Sequence, residues 1–128
     1  MRILLDTHIF IWWDSDPEQL SSTARAFCDD SANALVLSVV SVWEMQIKQQ
    51  LGKLKLRLPL TELIEGQQQT NGIEVLPVTL NHVLALENLP LHHKDPFDRL
   101  LIAQALVEDM SLLSADPAFG KYNVRLLR

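Results

Sequence analysis

The sequence predicts an α/β fold in which a parallel four- to five-stranded sheet is flanked by helices, with residues 1–128 forming a single domain. Three observations lead there. Short apolar runs alternate along the chain with amphipathic stretches, the order produced when each strand is followed by a crossover helix. The runs are apolar enough to be covered on both faces, as parallel strands are. A chain of 128 residues with 48% hydrophobic content is also long enough to bury a core without disulfide or metal staples, and no linker, repeat or low-complexity tract divides it.

The elements follow in order. Arg2 to Asp6 (RILLD) reads as the first strand and IFIWW as part of the first helix. A second helix starts near a Ser21-Ser22 cap and runs to Asp30, and Ala34 to Ser38 (ALVLS) is the second strand. Ser41 is then expected to open a helix, VWEMQIKQQL, that stops before Gly52. Lys53 to Leu58 alternates basic and apolar residues, which predicts an extended edge segment ended by Pro59. Thr61 is expected to cap the next helix, which closes at Asn71-Gly72. Residues 73–77 (IEVLP) form the third strand. A helix over Leu80 to Asn88, the loop LPLHHKDPF and the strongly helical FDRLLIAQALVEDM come next. Ser111 to Asp116 is the fourth strand and Val124 to Leu127 a short last one.

Composition narrows the chemistry. The one cysteine, Cys28, excludes an internal disulfide and a cysteine-based zinc site. It precedes two aspartates, which disfavour a thiolate, so it reads as a small buried hydrophobe rather than a nucleophile. The start of the chain lacks the features of a signal peptide, because Asp6 and His8 break its apolar run. No stretch approaches the roughly 18 apolar residues of a membrane span. A soluble, cytoplasmic protein without membrane contact is expected. The formal charge of -5 runs against nucleic-acid binding, yet it loses force if several acids belong to one metal site.

The placement of those acids carries the functional argument. Ligands of open parallel sheets bind beyond the carboxyl ends of the strands. Asp6 ends the first strand, Asp116 ends the fourth, Glu44 falls in the first turn of the helix after the second, and Asp98 begins the helix leading into the fourth. Each has an ordinary alternative. Asp6 could cap a helix, Ser41 to Glu44 fits a capping box, Asp95-Pro96-Phe97-Asp98 fits a capped helix start, and Asp116-Pro117 fits a turn. Together the four are harder to dismiss. Carboxylates gathered at one edge raise one another's pKa and cost stability unless a cation lies among them. Hard oxygen donors suit Mg²⁺ or Mn²⁺.

Four ordered blocks then resemble a known family: LLDTH at the start, Ser38 to Glu44 with its W-E, DPFDRLLIAQA from Asp95 to Ala105, and SAD from Ser114 to Asp116. They resemble the PIN-domain ribonucleases, most nearly the VapC-type toxins of bacterial toxin–antitoxin pairs, and the likeness runs nearly end to end. The resemblance implies a PIN-like parallel sheet. It implies an endoribonuclease that hydrolyses RNA with Mg²⁺ (or Mn²⁺) and leaves a 5′-phosphate and a 3′-hydroxyl. It makes Asp6, Glu44, Asp98 and Asp116 the catalytic, metal-binding set; the mechanism expected from them has Asp6, Glu44 and Asp98 on one ion and Asp116 helping to bind a second when substrate is present. Thr7 and Ser114 match the family's accompanying hydroxyl residues. Asp95 is open between capping, reaching metal through water, or both. Pro117 departs from the pattern, which more often has a backbone N–H donor there. A homodimer and a cognate antitoxin protein, placing a group in the acidic site, are further implications.

Around the acids, Lys48, His92, His93, Lys94 and Arg99 are candidates for gripping the RNA backbone. A metal-ligand role for the two histidines is set aside, since adjacent loop residues rarely aim at one ion. His8 is assigned to helix packing. Lys53, Lys55 and Arg57 divide between RNA contact and a solvated edge. Trp12, Trp13 and Trp43 are assigned to core or interface packing ahead of base stacking. Three rivals stand beside this reading: a phosphoacceptor receiver domain, a catalytically inactive PIN-fold RNA-binding or structural protein, and the same site acting on DNA. The first lacks an Asp after the third strand, where Pro77-Val78-Thr79 stands.

Overall fold

The computed structural model describes residues 1–128. Five strands, β1 (Arg2–Leu5), β2 (Ala34–Ser38), β3 (Glu74–Leu76), β4 (Ser111–Leu113) and β5 (Leu126–Leu127), form one sheet in the order β3-β2-β1-β4-β5. Every pairing is parallel. The helices are α1 (Thr7–Ser15), α2 (Ser22–Asp29), α3 (Val39–Gln50), α4 (Leu60–Asn71), α5 (Leu80–Ala85) and α6 (Pro96–Val107). None is long and apolar enough to cross a membrane.

The pleat of β1 shows how the core is split. Successive strand side chains point to opposite faces. Ile3 and Leu5 therefore enter one cluster, with Phe10 of α1, Ala24 and Cys28 of α2, Met45 of α3 and Leu63 of α4. Leu4 enters the other, with Leu101, Ile102 and Ala105 of α6 and with Phe119 and Tyr122. The second strand repeats the division, Leu35 and Leu37 on the first face and Val36 on the second. Burying a side chain of this size contributes roughly 1.5–3 kcal/mol, so β1, apolar and buried from Ile3 to Leu5, is the spine of both layers.

Local chemistry moves several boundaries away from the sequence reading. Helix α3 begins at Val39, because the hydroxyl of Ser38 accepts the Val40 N–H at 3.0 Å and acts as the cap. Ser41 therefore does not open the helix, and the alternative reading of Ser41–Glu44 as a capping box is not realised. Ser41 is buried inside the helix, and Glu44 lies in the second turn rather than the first. Lys53 to Leu58 forms no strand. Its Leu54, Leu56 and Leu58 pack on the first core cluster while the basic residues face out, so the alternation reflects a one-sided loop without a ladder partner. Pro59, not Thr61, occupies the cap position of α4, whose stop at Gly72 (φ 65°) is the left-handed end expected. The fourth strand stops at Leu113, and the last pairs only through Leu126 and Leu127.

Candidate active site

All four predicted acids lie at the carboxyl edge of the sheet. Asp6 follows β1, and its N–H still pairs with Leu113 O at 3.0 Å, which carries the β1–β4 ladder one residue further. It occupies the cap position of α1, but its side chain caps nothing. Instead Ser114 Oγ donates to Asp6 Oδ2 at 2.8 Å, and that same Oγ accepts the Asp116 N–H at 3.0 Å. One serine therefore ties the ends of two neighbouring strands together. Asp6 is 6% exposed, and burial raises its pKa, opposed by the Ser114 hydrogen bond.

Glu44 reaches the same edge from α3 and is also buried. Thr7 Oγ1 lies 2.8 Å from both Glu44 Oε1 and Ser41 Oγ. A hydroxyl has a single proton to give. Donating it to the carboxylate leaves Ser41 as the donor to Thr7. Lys48, one turn later, donates to Glu44 Oε2 at 2.6 Å, so half the charge of this acid is answered within its own helix.

Asp98 is the most perturbed of the set. Its pKa is pushed up to about 8, first by burial and then by the charges of Asp95, Asp6, Glu44 and Asp116. Acids from four separate parts of the chain thus act on one carboxyl group. Asp95 caps α6, its Oδ1 accepting the N–H groups of Phe97 (2.8 Å) and Asp98 (3.2 Å). Asp116 Oδ1 accepts the Ala118 N–H at 2.9 Å, so Pro117 merely moves the donor one residue along. Asp6 and Asp116 share a small open cavity of about 320 Å³ with His8, Trp12 and Ala115.

The tightest group of possible ligands is Asp98, Asp116 and His93, whose donor atoms lie within 4.8 Å of one another. Asp6 and Glu44 stand outside that trio, engaged by Ser114 and by Thr7 and Lys48. His93 was the residue the sequence reading undervalued. Only one of the adjacent histidines turns toward the acids, which the argument against a pair did not exclude; the signal was their position just ahead of Asp95-Pro96-Phe97-Asp98.

Among the expected RNA contacts, Arg99 is turned elsewhere. It donates to Pro90 O at 2.8 Å and lies 3.4 Å from Leu86 O and Tyr122 Oη, bracing the loop ahead of α6. Arg57 makes a two-pronged pair with Asp14, at 2.9 and 2.8 Å. Trp43 is 56% exposed and touches Phe97 edge-on, so it belongs to no core. Cys28 is buried, and burial first, then Asp29, raises its thiol to about 11. That thiol stays protonated at neutral pH.

Known proteins resemble the chain in sequence and in fold. The chain is 26% identical over 115 residues to ribonuclease VapC22 of Mycobacterium tuberculosis, covering 89% of this chain and 86% of that relative. Its fold is similar to a chain in the VapBC2 complex of Rickettsia felis bound to a DNA fragment from their promoter (TM-score 0.72, 14% identity, 99% of this chain and 98% of that one). It is also similar to FitAcB of Neisseria gonorrhoeae (TM-score 0.68, 19% identity, 98% and 96%). The PIN domain family matches residues 3–124, all four acids included. By that match, spanning nearly every residue from β1 to the approach of β5, the chain belongs to the PIN domain family.

Proposed function

We propose that this protein is a divalent-metal-dependent endoribonuclease, the toxin of a type II toxin–antitoxin pair, with Asp6, Glu44, Asp98 and Asp116 as its catalytic and metal-holding residues. The observation that carries the reading is the convergence on Asp98, where burial and four neighbouring acids make an uncompensated charge costly. The donor set fits a hard cation: all four side chains offer carboxylate oxygens, and hydroxyls hold two of them in place, Thr7 on Glu44 and Ser114 on Asp6. The similarity to a ribonuclease and to VapBC and FitAB proteins supports RNA as substrate and an antitoxin as partner.

Mg²⁺ or Mn²⁺ bound here would supply a water of lowered pKa and positive charge beside the scissile phosphate. The chain's own residues supply position. Ser114 fixes Asp6 relative to the turn that carries Asp116, and Thr7 with Ser41 fixes Glu44. Lys48 brings a positive charge to the rim, where a phosphate oxygen can share it. No histidine base is needed for hydrolysis to a 5′-phosphate and a 3′-hydroxyl.

The test uses purified chain and generic single-stranded RNA with Mg²⁺ or Mn²⁺. Cleavage lost on adding EDTA and absent from Asp6→Asn, with an unchanged circular-dichroism spectrum, is the expected result. Full cleavage by Asp6→Asn refutes the assignment of the acids. RNA bound but never cut, with either ion, would instead favour a PIN-fold binding protein, and DNA cut in preference to RNA would replace the substrate.

A further inference from the structure

The loop between α5 and α6 treats its two histidines differently. His92 lays its ring against Tyr122, centroids 5.3 Å apart. His93 donates its backbone N–H to Tyr122 Oη at 2.9 Å and sets its ring edge-on to Phe119 at 6.0 Å. Arg99 holds the preceding turn by the Pro90 carbonyl at 2.8 Å. So braced, His93 places Nε2 2.8 Å from Asp98 Oδ2 and 3.9 Å from Asp116 Oδ2.

An ordinary ion pair would point the ring N–H along the line to the carboxylate. This contact is close but lacks that alignment, and Nε2 is sealed from solvent without a hydrogen-bond partner. Leaving a buried nitrogen unpaired is unfavourable. The spacing fits another use. An octahedral ion with bonds of about 2.1 Å sets neighbouring donors about 3 Å apart and opposite donors about 4.2 Å apart. The distances of 2.8 and 3.9 Å lie close to those two values.

We propose that His93 Nε2 is a nitrogen ligand, alongside Asp98 and Asp116, for a divalent cation in this site. The proposal rests on the metal-dependent reading above and refines it. Mg²⁺ keeps to oxygen donors and water, whereas imidazole favours transition ions. His93 therefore biases this position away from Mg²⁺, and Mn²⁺ is the natural probe.

Electron spin-echo measurements on Mn²⁺-loaded protein detect a coordinated imidazole nitrogen directly, without any turnover. The wild-type chain should show that nitrogen signal. His93→Ala and His93→Phe should lose it; the second variant keeps an aromatic ring against Phe119, so that packing is preserved. His92→Ala should retain it. A signal that survives in His93→Phe, or is absent from wild-type protein with Mn²⁺ bound, overturns the assignment and leaves the acidic nuclease site intact. Failure of the wild-type chain to bind Mn²⁺ at all overturns the metal-dependent reading itself.

Discussion

At the scale of single residues, Asp98 links the charge of the site to the stability of the protein. Its folded pKa of about 8 lies above the ordinary 3.8, so between those values the folded state binds more protons than the unfolded state. Stability then falls as pH rises, and the penalty is complete only above the folded pKa. In EDTA, Asp98→Asn removes this term. Calorimetry should show the variant gaining on the wild type by a few kcal/mol in all as pH rises from about 5 to about 9, while in a separate assay with Mn²⁺ the variant loses RNA cleavage. A gap that does not change with pH would refute the burial account. The residue types of this site were readable, because an acid after each of two apolar strands is conspicuous. Their neighbours were not: Ser114 bridging Asp6 and Asp116, and His93 turned inward from its loop, depend on contacts between residues far apart in the chain.

Helix α3 shows how element boundaries decide a side chain's role. The sequence points to Ser41 as the residue that opens the helix and leaves Ser38 at the end of the second strand, yet Ser38 is the cap. Both are buried and their partners distinguish them: Ser38 accepts the Val40 N–H and also donates to Gln104 Oε1 at 2.5 Å across to α6, whereas Ser41 faces Thr7. Losing a cap costs about 1 kcal/mol, and leaving the buried Gln104 oxygen unpaired adds about 1–3 kcal/mol. Ser38→Ala should therefore be destabilised by about 2–4 kcal/mol in urea unfolding, against less than about 1 kcal/mol for an exposed serine such as Ser22. The same helix leaves Val39 and Trp43 in solvent, and α5, which also packs on α6, leaves Leu80 and Leu84 exposed. Apolar surface of this kind suits the homodimer that the family resemblance implies. Trp43→Glu should shift the protein to the monomer in light scattering coupled to size exclusion; an unchanged mass would remove α3 from the interface. The loop from Lys53 to Leu58 was legible as one-sided but not as strandless, since only tertiary structure shows that no neighbouring strand is there to pair with it.

Across the whole molecule, four of the sixteen acidic residues lie at one edge of the sheet, where their mutual repulsion burdens an ion-free fold. A cation binding only the folded state stabilises by mass action, about 2.7 kcal/mol at a hundred times its dissociation constant. Mn²⁺ or Mg²⁺ should raise the thermal midpoint and flatten the fall of stability between about pH 5 and pH 9, because the ion holds Asp98 ionised. A pH slope unaffected by saturating metal would detach the acids from any common ion. The parallel α/β architecture was fully legible, since alternating apolar runs and helices admit few other layouts. Strand order was not, because pairing is a choice among several runs of similar character.

That order has a consequence for the protein's manufacture. The central strand, Arg2–Leu5, is synthesised first, yet its neighbour on one side is Ser111–Leu113, more than a hundred positions later. A partly translated copy lacks Asp116, Ser114 and the Leu113 carbonyl that receives Asp6, so the proposed acidic site is incomplete until β4 and the turn after it have been made. On the proposed assignment of the acids, RNA near the ribosome meets a complete acidic site only once nearly all of these residues have been made.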